Sequence, residues 1–337
     1  MREEGLEPSR PYWTQEPESC ASAKFRHSRV AGKATRGHLR WHCRYRPPHG
    51  RRAGAAARMR RDLRHLESTD DRMQRHDLPG VLPAAGSRRS GMSRRDFRLD
   101  ADARTHVGRR RRRNEDAFLL TDDLVAVADG LGGHPGGDLA SAVAVESLHS
   151  SGAAADPDSL RGAFVEAHLA VQQRAAEEPG LAEMCTTLCA LALDPAGRLV
   201  LANVGDSRIY RLSGGRMTQV TWDHNWANEY MRMGMSPAEA HRMKGAGSLS
   251  RVIGAFPEPC EVDIWTFDAG DGDRYLLASD GLTRELPDGD IAVLLAAGDP
   301  PEATAGELVE AANDRGGNDN ITVIVADVVA PESRRQP

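Results

Sequence analysis

The stretch that decides the fold runs Leu124-Val125-Ala126-Val127-Ala128-Asp129-Gly130-Leu131-Gly132-Gly133-His134-Pro135-Gly136-Gly137. It begins as an apolar run of strand length and ends in one carboxylate followed by a glycine-dense turn. This order predicts a buried strand that delivers Asp129 to a site. A second stretch of the same kind, Tyr275-Leu276-Leu277-Ala278-Ser279-Asp280-Gly281, lies about 150 residues later. Two apolar runs that each end in Asp-Gly predict two carboxylates that converge on one place.

Composition separates the chain into two parts. The 337 residues are 40% hydrophobic and 28% charged, which is typical of a soluble globular protein. Residues 1–91 hold 20 Lys and Arg against 10 Asp and Glu, whereas residues 92–337 hold 24 against 39. The first part is therefore basic and the second acidic.

Several protein classes are excluded or disfavoured. No apolar run reaches 18 residues, so no membrane-spanning helix and no membrane partner are expected. The first twenty residues contain five Glu and no apolar segment, so no secretory signal is predicted. The five cysteines show no paired framework, which favours a reducing cytoplasm as the location.

We divide the chain into three regions. Residues 1–100 are rich in Arg, Pro, Gly and Ser without a sustained period, which predicts a basic, disordered extension, with Met92 as a possible natural start. Residues 101–330 are predicted to form the catalytic domain and residues 331–337 a disordered tail. Two alternatives for the extension are a nucleic-acid-binding arm on its arginine clusters and a zinc site at Cys20, His42 and Cys43. The lack of a Cys-x-x-Cys pair disfavours zinc, and nucleic acid is not the expected partner.

Grouped strands and paired helices predict an α+β fold. Residues 116–121 and 124–128 predict a hairpin around Asp122-Asp123. A helix follows the glycine turn, and another begins at Asp156-Pro157, where Asp can cap and Pro fits the first position. Helices are also predicted at 288–297 and 301–313, with helical pieces in an excursion over 224–250. Further strands are predicted at 186–193, 199–204, 207–212, 216–221, 261–267, 274–278 and 321–329.

Five aspartates lie at predicted strand ends beside glycine or asparagine: Asp116, Asp129, Asp206, Asp280 and Asp319. Gathered in one place, they would repel one another unless cations lay between them. Oxygen ligands without Cys or His favour hard ions such as Mg²⁺ or Mn²⁺. Two such ions can activate a water and neutralise a phosphoryl group as it transfers.

Simpler interpretations remain open for each motif. Asp-Gly is first of all a turn dipeptide, and Asn318-Asp319-Asn320 could simply cap the strand that follows. Nucleotide-binding devices do not fit the glycine stretch: a G-x-G-x-x-G pattern starting at Gly130 would need glycine where Pro135 stands. The chain also contains no Gly-Lys-Ser/Thr sequence, which a Walker A loop requires.

The ordered motifs resemble the signature series of metal-dependent serine/threonine protein phosphatases, the type 2C or PPM family, in its bacterial form. The resemblance covers residues 101–329. It is carried by Arg111-Arg112-Arg113-Asn114-Glu115-Asp116, Asp129-Gly130-Leu131-Gly132-Gly133-His134, Thr186-Thr187, Asn203-Val204-Gly205-Asp206-Ser207-Arg208, Ser279-Asp280-Gly281-Leu282 and Asp319-Asn320-Ile321-Thr322.

The resemblance implies a four-layer α/β/β/α sandwich, two antiparallel sheets flanked by helix pairs, with two Mn²⁺ or Mg²⁺ ions at one end. By motif position Asp129 would bridge both ions. The Gly130 carbonyl and either Asp116 or Glu115 would complete the ligands directly or through water. The motif positions of Asp280 and Asp319 imply that they hold the second ion.

Two further roles follow from the resemblance. Asp206 would hold a third, weaker metal ion, and Arg111 would bind the phosphoryl group with its planar guanidinium. The neighbouring arginines, Arg109, Arg110, Arg112 and Arg113, are interpreted as a solvated basic rim that could attract phosphorylated substrates.

Two positions depart from the family pattern. Some relatives carry a histidine directly after Asp-Gly as a proton donor, whereas this chain has Leu131. His134 is an alternative donor, but a water, or no dedicated acid, is expected. Cys185 stands where the family has glycine before Thr-Thr, and residues 223–251 resemble a mobile flap beside the site.

The expected function is hydrolysis of phosphoserine and phosphothreonine in proteins by direct attack of a metal-activated water, in the cytoplasm and as a monomer. The expected partners are phosphorylated proteins, among them a Ser/Thr kinase. The alternative is a phosphatase-like module that binds phosphoproteins with weak catalysis or none; the intact carboxylates argue against it.

Overall fold

The computed structural model describes residues 97–132, 136–256, 259 and 261–330. Residues 1–96 of the predicted extension, with Met92, Cys20, His42 and Cys43, and the tail 331–337 lie outside the described residues, as does His134. The predictions made for them stay predictions.

The described residues form twelve strands and seven α-helices. The strands are β1 Arg98–His106, β2 Asp116–Leu120, β3 Leu124–Asp129, β4 Cys185–Thr186, β5 Leu188–Leu193, β6 Arg198–Val204, β7 Arg208–Ser213, β8 Arg216–Gln219, β9 Ile253–Gly254, β10 Asp263–Asp268, β11 Arg274–Ala278 and β12 Ile321–Val329. The helices are α1 Gly137–Ser150, α2 Pro157–Glu177, α3 Trp226–Arg232, α4 Pro237–Ala240, α5 Asp280–Thr283, α6 Asp288–Leu295 and α7 Pro301–Asp314.

Ten of the strands form two antiparallel five-stranded sheets. One sheet has the order β1-β12-β11-β7-β8 and the other β10-β6-β5-β3-β2, while β4 pairs with β9 apart from both. Side chains of one strand alternate between the two faces of its sheet. In β3, Val125 and Val127 pack between the sheets, whereas Ala126 and Ala128 pack on the helix side.

Three hydrophobic cores follow from this alternation. One joins the second sheet to α1 and α2 and includes Leu148 and Phe164. The middle core lies between the sheets, and the third joins the first sheet to α5, α6 and α7 through residues such as Leu282 and Leu308. The predicted four-layer α/β/β/α sandwich is confirmed.

Most predicted elements lie where the sequence pattern placed them. The hairpin turns at 122–123, with Thr121 N donating to Leu124 O at 3.0 Å. Asp156 caps α2 by accepting from Asp158 N and Ser159 N. The strand predicted at 186–193 is interrupted at Thr187, because the Thr187 amide turns to donate to Asp129 O at 2.9 Å.

The strand β1 was not predicted. It begins at Arg98 and pairs along its whole length with β12, so it crosses the boundary predicted between residues 100 and 101. Its apolar positions Leu99 and Ala103 are buried, and polar side chains separate them.

The excursion between β8 and β10 contains the two short helices α3 and α4 and is fixed at its base. His224 is buried; its Nδ1 accepts from Gly205 N at 3.1 Å and its Nε2 lies 3.2 Å from an Asp263 carboxylate oxygen. Arg251 Nη1 donates to the same carboxylate at 2.8 Å. The base of the excursion is thus bonded to the loop that carries Asp206.

Two further findings bear on the early predictions. No helix within the described ranges is long and apolar enough to cross a membrane. Cys185 and Cys189 are buried free thiols, and burial raises their pKa values to about 11 and about 12, so neither is an activated nucleophile.

Candidate functional site

The predicted carboxylates meet at one edge of the sandwich. Asp116 begins β2 and lies directly opposite Asp129, which ends β3. Asp280 follows β11 as the first residue of α5, and Asp319 precedes β12, which pairs with β11. Ser279 Oγ donates to Asp116 Oδ2 at 2.9 Å, and the nearby Asp129 carboxyl group influences the pKa of Asp280. The two sheets therefore deliver their acidic ends to a common point.

The electrostatics of this edge are those of crowded carboxylates. Burial, followed by repulsion from four neighbouring carboxylates, raises the pKa of Asp129 well above its ordinary value. Burial also raises the pKa of Asp116 to about 7, against hydrogen bonds from Thr322 and Ser279 that lower it. The pKa of Asp206 is raised to about 7 by burial and by repulsion from Asp280. Such a group of acids is stabilised by added positive charge.

One atom of the group lacks any partner. Asp116 is only 4% exposed, and its Oδ1 is buried without a hydrogen bond, whereas Oδ2 accepts from Ser279. A buried carboxylate oxygen without a partner is unfavourable unless a cation or a donor satisfies it. An all-oxygen set of donors around such an atom fits a hard divalent cation.

Two arginines supply positive charge in this conformation. Arg284 Nη2 lies 2.5 Å from Asp280 Oδ2 and its Nη1 lies 3.5 Å from Asp319 Oδ2, while Arg111 Nη2 donates to Asp319 Oδ2 at 2.8 Å. Within the described part of the chain, no three acidic, histidine or cysteine side chains converge closely enough to coordinate one ion. These guanidinium contacts occupy carboxylate oxygens of Asp280 and Asp319. The Arg284 side chain is 59% exposed.

Glycines let backbone segments approach one another around the carboxylates. A Cβ at Gly130 would lie 2.1 Å from Gly137 O, and a Cβ at Gly132 would lie 2.5 Å from Arg111 Nη1. The Arg111 guanidinium therefore packs directly on the glycine turn. The glycine turn thus brings backbone close to the site.

Buried polar side chains fix the carboxylates in place. Thr187 Oγ1 accepts from Asp129 N at 2.9 Å and shares a hydrogen bond of 2.7 Å with Ser207, the neighbour of Asp206. Asn320 Oδ1 accepts from Glu115 N at 2.9 Å. The Glu115 carbonyl accepts from Gly130 N and from Ser141 Oγ, while burial raises the pKa of its side chain.

Sequence reasoning brought the right carboxylates together but missed some of their partners. Asp116, Asp129, Asp206, Asp280 and Asp319 share the site, with Arg111 and Glu115 beside them. The contact of Arg284 and the bracing by Asn320 were not predicted. The spacing of Arg284, four residues after Asp280 and hence one helical turn away, was the available signal.

Known proteins are similar to this chain in sequence and in fold. The sequence profile described as protein phosphatase 2C matches residues 105–314. The serine/threonine phosphatase stp of Listeria monocytogenes is 35% identical over 243 residues, 68% of this chain and 96% of that relative. The serine/threonine protein phosphatase PstP of Mycobacterium tuberculosis is 36% identical over 247 residues, 71% of this chain and 46% of PstP. The chain thus spans about half the length of PstP.

Solved structures agree with these matches. The catalytic domain of PstP, crystallised in complex with two manganese ions, is 35% identical with a TM-score of 0.61, covering 69% of this chain and 99% of that one. The phosphatase MsPP from Mycobacterium smegmatis, in complex with cacodylate, is 38% identical with a TM-score of 0.60, covering 67% and 97%. Together with the profile match, these likenesses confirm the predicted family. The chain belongs to the protein phosphatase 2C family.

Proposed function

We propose that this chain is a metal-dependent protein phosphatase that hydrolyses phosphoserine and phosphothreonine. The observation that carries the proposal is the partnerless Asp116 Oδ1 among four further carboxylates, in a chain of this family. When bound there, two Mn²⁺ or Mg²⁺ ions supply positive charge for the phosphoryl oxygens and an activated water.

The ligand assignment is part of the proposal. Asp129 would be the carboxylate shared by both ions, with the Gly130 carbonyl and Asp116 or Glu115 beside it. Asp280 and Asp319 would hold the second ion, and Asp206 would contribute to a third, weaker site. The support is the pairing of Asp116 with Asp129 in the sheet, together with the repulsion by the other aspartates that raises the pKa of Asp129.

Arg111 is proposed to bind and orient the phosphoryl group. Its guanidinium packs on Gly132 and donates to Asp319, and that hydrogen bond is the main reason why its pKa is raised. The guanidinium is therefore charged at every working pH and presents a planar pair of donors suited to phosphate. The side chain of Leu131, the residue after Gly130, has no ionisable group that could donate a proton. We therefore propose that a water protonates the leaving group.

The proposal extends to where the protein acts and on what. The substrates are phosphorylated proteins, among them a Ser/Thr kinase, and the chain acts as a monomer in the cytoplasm. Membership of the phosphatase family supports the substrate class. The two buried free thiols fit a reducing compartment.

The test is release of phosphate from a phosphothreonine peptide by the full chain. We expect turnover with Mn²⁺, loss of turnover with a chelator and recovery when Mn²⁺ is restored. Equal rates with and without the chelator would overturn the metal mechanism. Tight Mn²⁺ binding without turnover of any phosphopeptide would instead favour the non-catalytic binding module.

Replacing Arg284 by Gln is expected to raise the affinity for Mn²⁺ about tenfold, because a unit charge near the ions is removed and Asp280 is released. Isothermal titration calorimetry on the metal-free protein measures the change directly. Arg198→Gln is the matched control, since Arg198 also pairs with an aspartate four residues away, Asp194, but at the opposite end of β6 from Asp206. An unchanged or weaker affinity in Arg284→Gln would show that Arg284 does not compete with the metal.

A further inference from the structure

Five consecutive arginines, Arg109–Arg113, form an exposed loop at the rim of the site. The proposed function uses only Arg111. Arg109 pairs with Asp314 at 2.7 Å, whereas no ion pair joins Arg110, Arg112 or Arg113 to any of the described residues. Three positive charges are therefore left facing solvent beside the carboxylates.

The loop is held in place at both ends. Arg109 N donates to Gly317 O at 2.7 Å, and Gly108 takes a positive φ of 79° where a Cβ would lie 2.1 Å from Asp319 O. The side-chain amide of Asn320 donates to Val107 O at 2.9 Å and to Arg113 O at 2.8 Å. Both ends of the loop thus depend on Asn320, the neighbour of Asp319, so the arginines keep a fixed position relative to the site.

The reach of these arginines can be compared with the spacing of a bound peptide. Consecutive Cα atoms lie about 3.8 Å apart, so the Cα atoms of Arg110 and Arg112 each lie at this distance from the Cα atom of Arg111. An extended peptide advances about 3.3 to 3.6 Å per residue. If Arg111 holds the scissile phosphate, anions about two to four residues away along the peptide lie within reach of the neighbouring guanidinium groups.

The loop is basic, whereas the domain that carries it is acidic overall. Residues 92–337 contain 39 acidic against 24 basic residues, and five of those 24 are in this loop. Because the domain is acidic overall and the loop is basic, we expect an acidic peptide to be attracted at the loop and so concentrated at the site. A neutral peptide gains no such attraction.

We propose that Arg110, Arg112 and Arg113 form a second anion site, which selects substrates that carry another phosphate or carboxylate near the scissile phosphoresidue. The proposal rests on the proposed function and names its substrate class: multiply phosphorylated or acidic phosphopeptides. Phosphate and carboxylate share the chemistry that a guanidinium recognises, and a phosphate accepts more hydrogen bonds.

The test compares peptides that share one phosphothreonine and differ at a residue three positions away, which is Ala, Glu or a non-hydrolysable phosphonate analogue of phosphoserine. For the wild type we expect kcat/KM to rise about threefold to tenfold from Ala to Glu and further to the phosphonate, mainly through KM. The variant Arg110→Gln/Arg112→Gln/Arg113→Gln is expected to lose this preference and to keep its kcat/KM for the Ala peptide. High salt should reduce the preference of the wild type.

The matched control is Arg98→Gln/Arg198→Gln/Arg216→Gln, which removes the same charge from exposed arginines at the opposite edge of the sheets. An equal preference in the loop variant and the wild type would overturn the proposal, as would an equal loss in the control. Failure of the proposed function looks different, since no peptide would then be turned over. Fluorescence anisotropy with a peptide that carries two phosphonates still decides the question in that case: weaker binding only in the loop variant supports the second anion site, and equal binding overturns it.

Discussion

Replacing Asp129 by Asn is expected to lower kcat for a phosphothreonine peptide at saturating Mn²⁺ by a factor on the order of 10³, equivalent to about 4 kcal/mol. Repulsion by all four of the other carboxylates contributes to the raised pKa of Asp129; these are Asp116, Asp280, Asp206 and Asp319. The amide keeps the shape of the side chain and removes the charge proposed to be shared by both ions. Initial rates of phosphate release over a range of Mn²⁺ concentrations measure the loss.

The same variant should behave differently without metal. Burial and repulsion disfavour the charged form of Asp129, so Asn at this position is expected to leave the melting temperature of the chelated protein unchanged or higher. Added Mn²⁺ should then stabilise the wild type more than the variant. Asp122→Asn is the control, because Asp122 is an exposed carboxylate in the turn of the same hairpin. A variant that keeps wild-type kcat and the full Mn²⁺ stabilisation would contradict the bridging role of Asp129.

The layers of the fold could be predicted because the order of apolar and polar residues in a strand shows which of its faces are buried. The strand β12 is buried along nearly all its length, with Val323 and Val325 toward the helices and Ile324 and Ala326 between the sheets. A strand that is covered on both faces has a continuous apolar sequence. The bounds of β12 were therefore predicted correctly. The edge strand β1 escaped prediction because charged residues occupy the positions between its few apolar side chains.

The site was predictable as a set of carboxylates but not as an arrangement. Local patterns placed Asp129 and Asp280 at strand ends, but the two strands lie in different sheets, so the meeting of these residues depends on how the sheets pack together. The partnerless oxygen of Asp116 and the brace formed by Asn320 depend on contacts between residues about 200 positions apart, which no local pattern contains. The ion pair between Arg284 and Asp280 joins residues four positions apart on one helical turn, so it could have been predicted from their spacing.

Replacing Gly281 by Ala is expected to lower both stability and turnover. A Cβ at this position would lie 1.9 Å from the backbone oxygen of Asn320, a contact that no side-chain rotation can relieve. Displacing Asn320 would separate Asp319 from Asp280 and loosen the brace on Glu115 N. Overpacking of this kind costs about 1 to 3 kcal/mol, and a shift of about 1 Å at a reacting centre lowers rates on the order of 10²-fold.

Gly306→Ala provides the matched comparison for this substitution. Gly306 lies inside α7, where a Cβ would meet nothing within 4 Å. Alanine there should raise the free energy of unfolding by about 0.5 to 1 kcal/mol and leave kcat unchanged. Urea unfolding with chelator and with Mn²⁺, together with kcat, separates the two glycines. If Gly281→Ala matched the wild type in both measurements, α5 and the start of β12 would have to move apart without consequence, and a fixed distance between Asp280 and Asp319 could not be a requirement of the site.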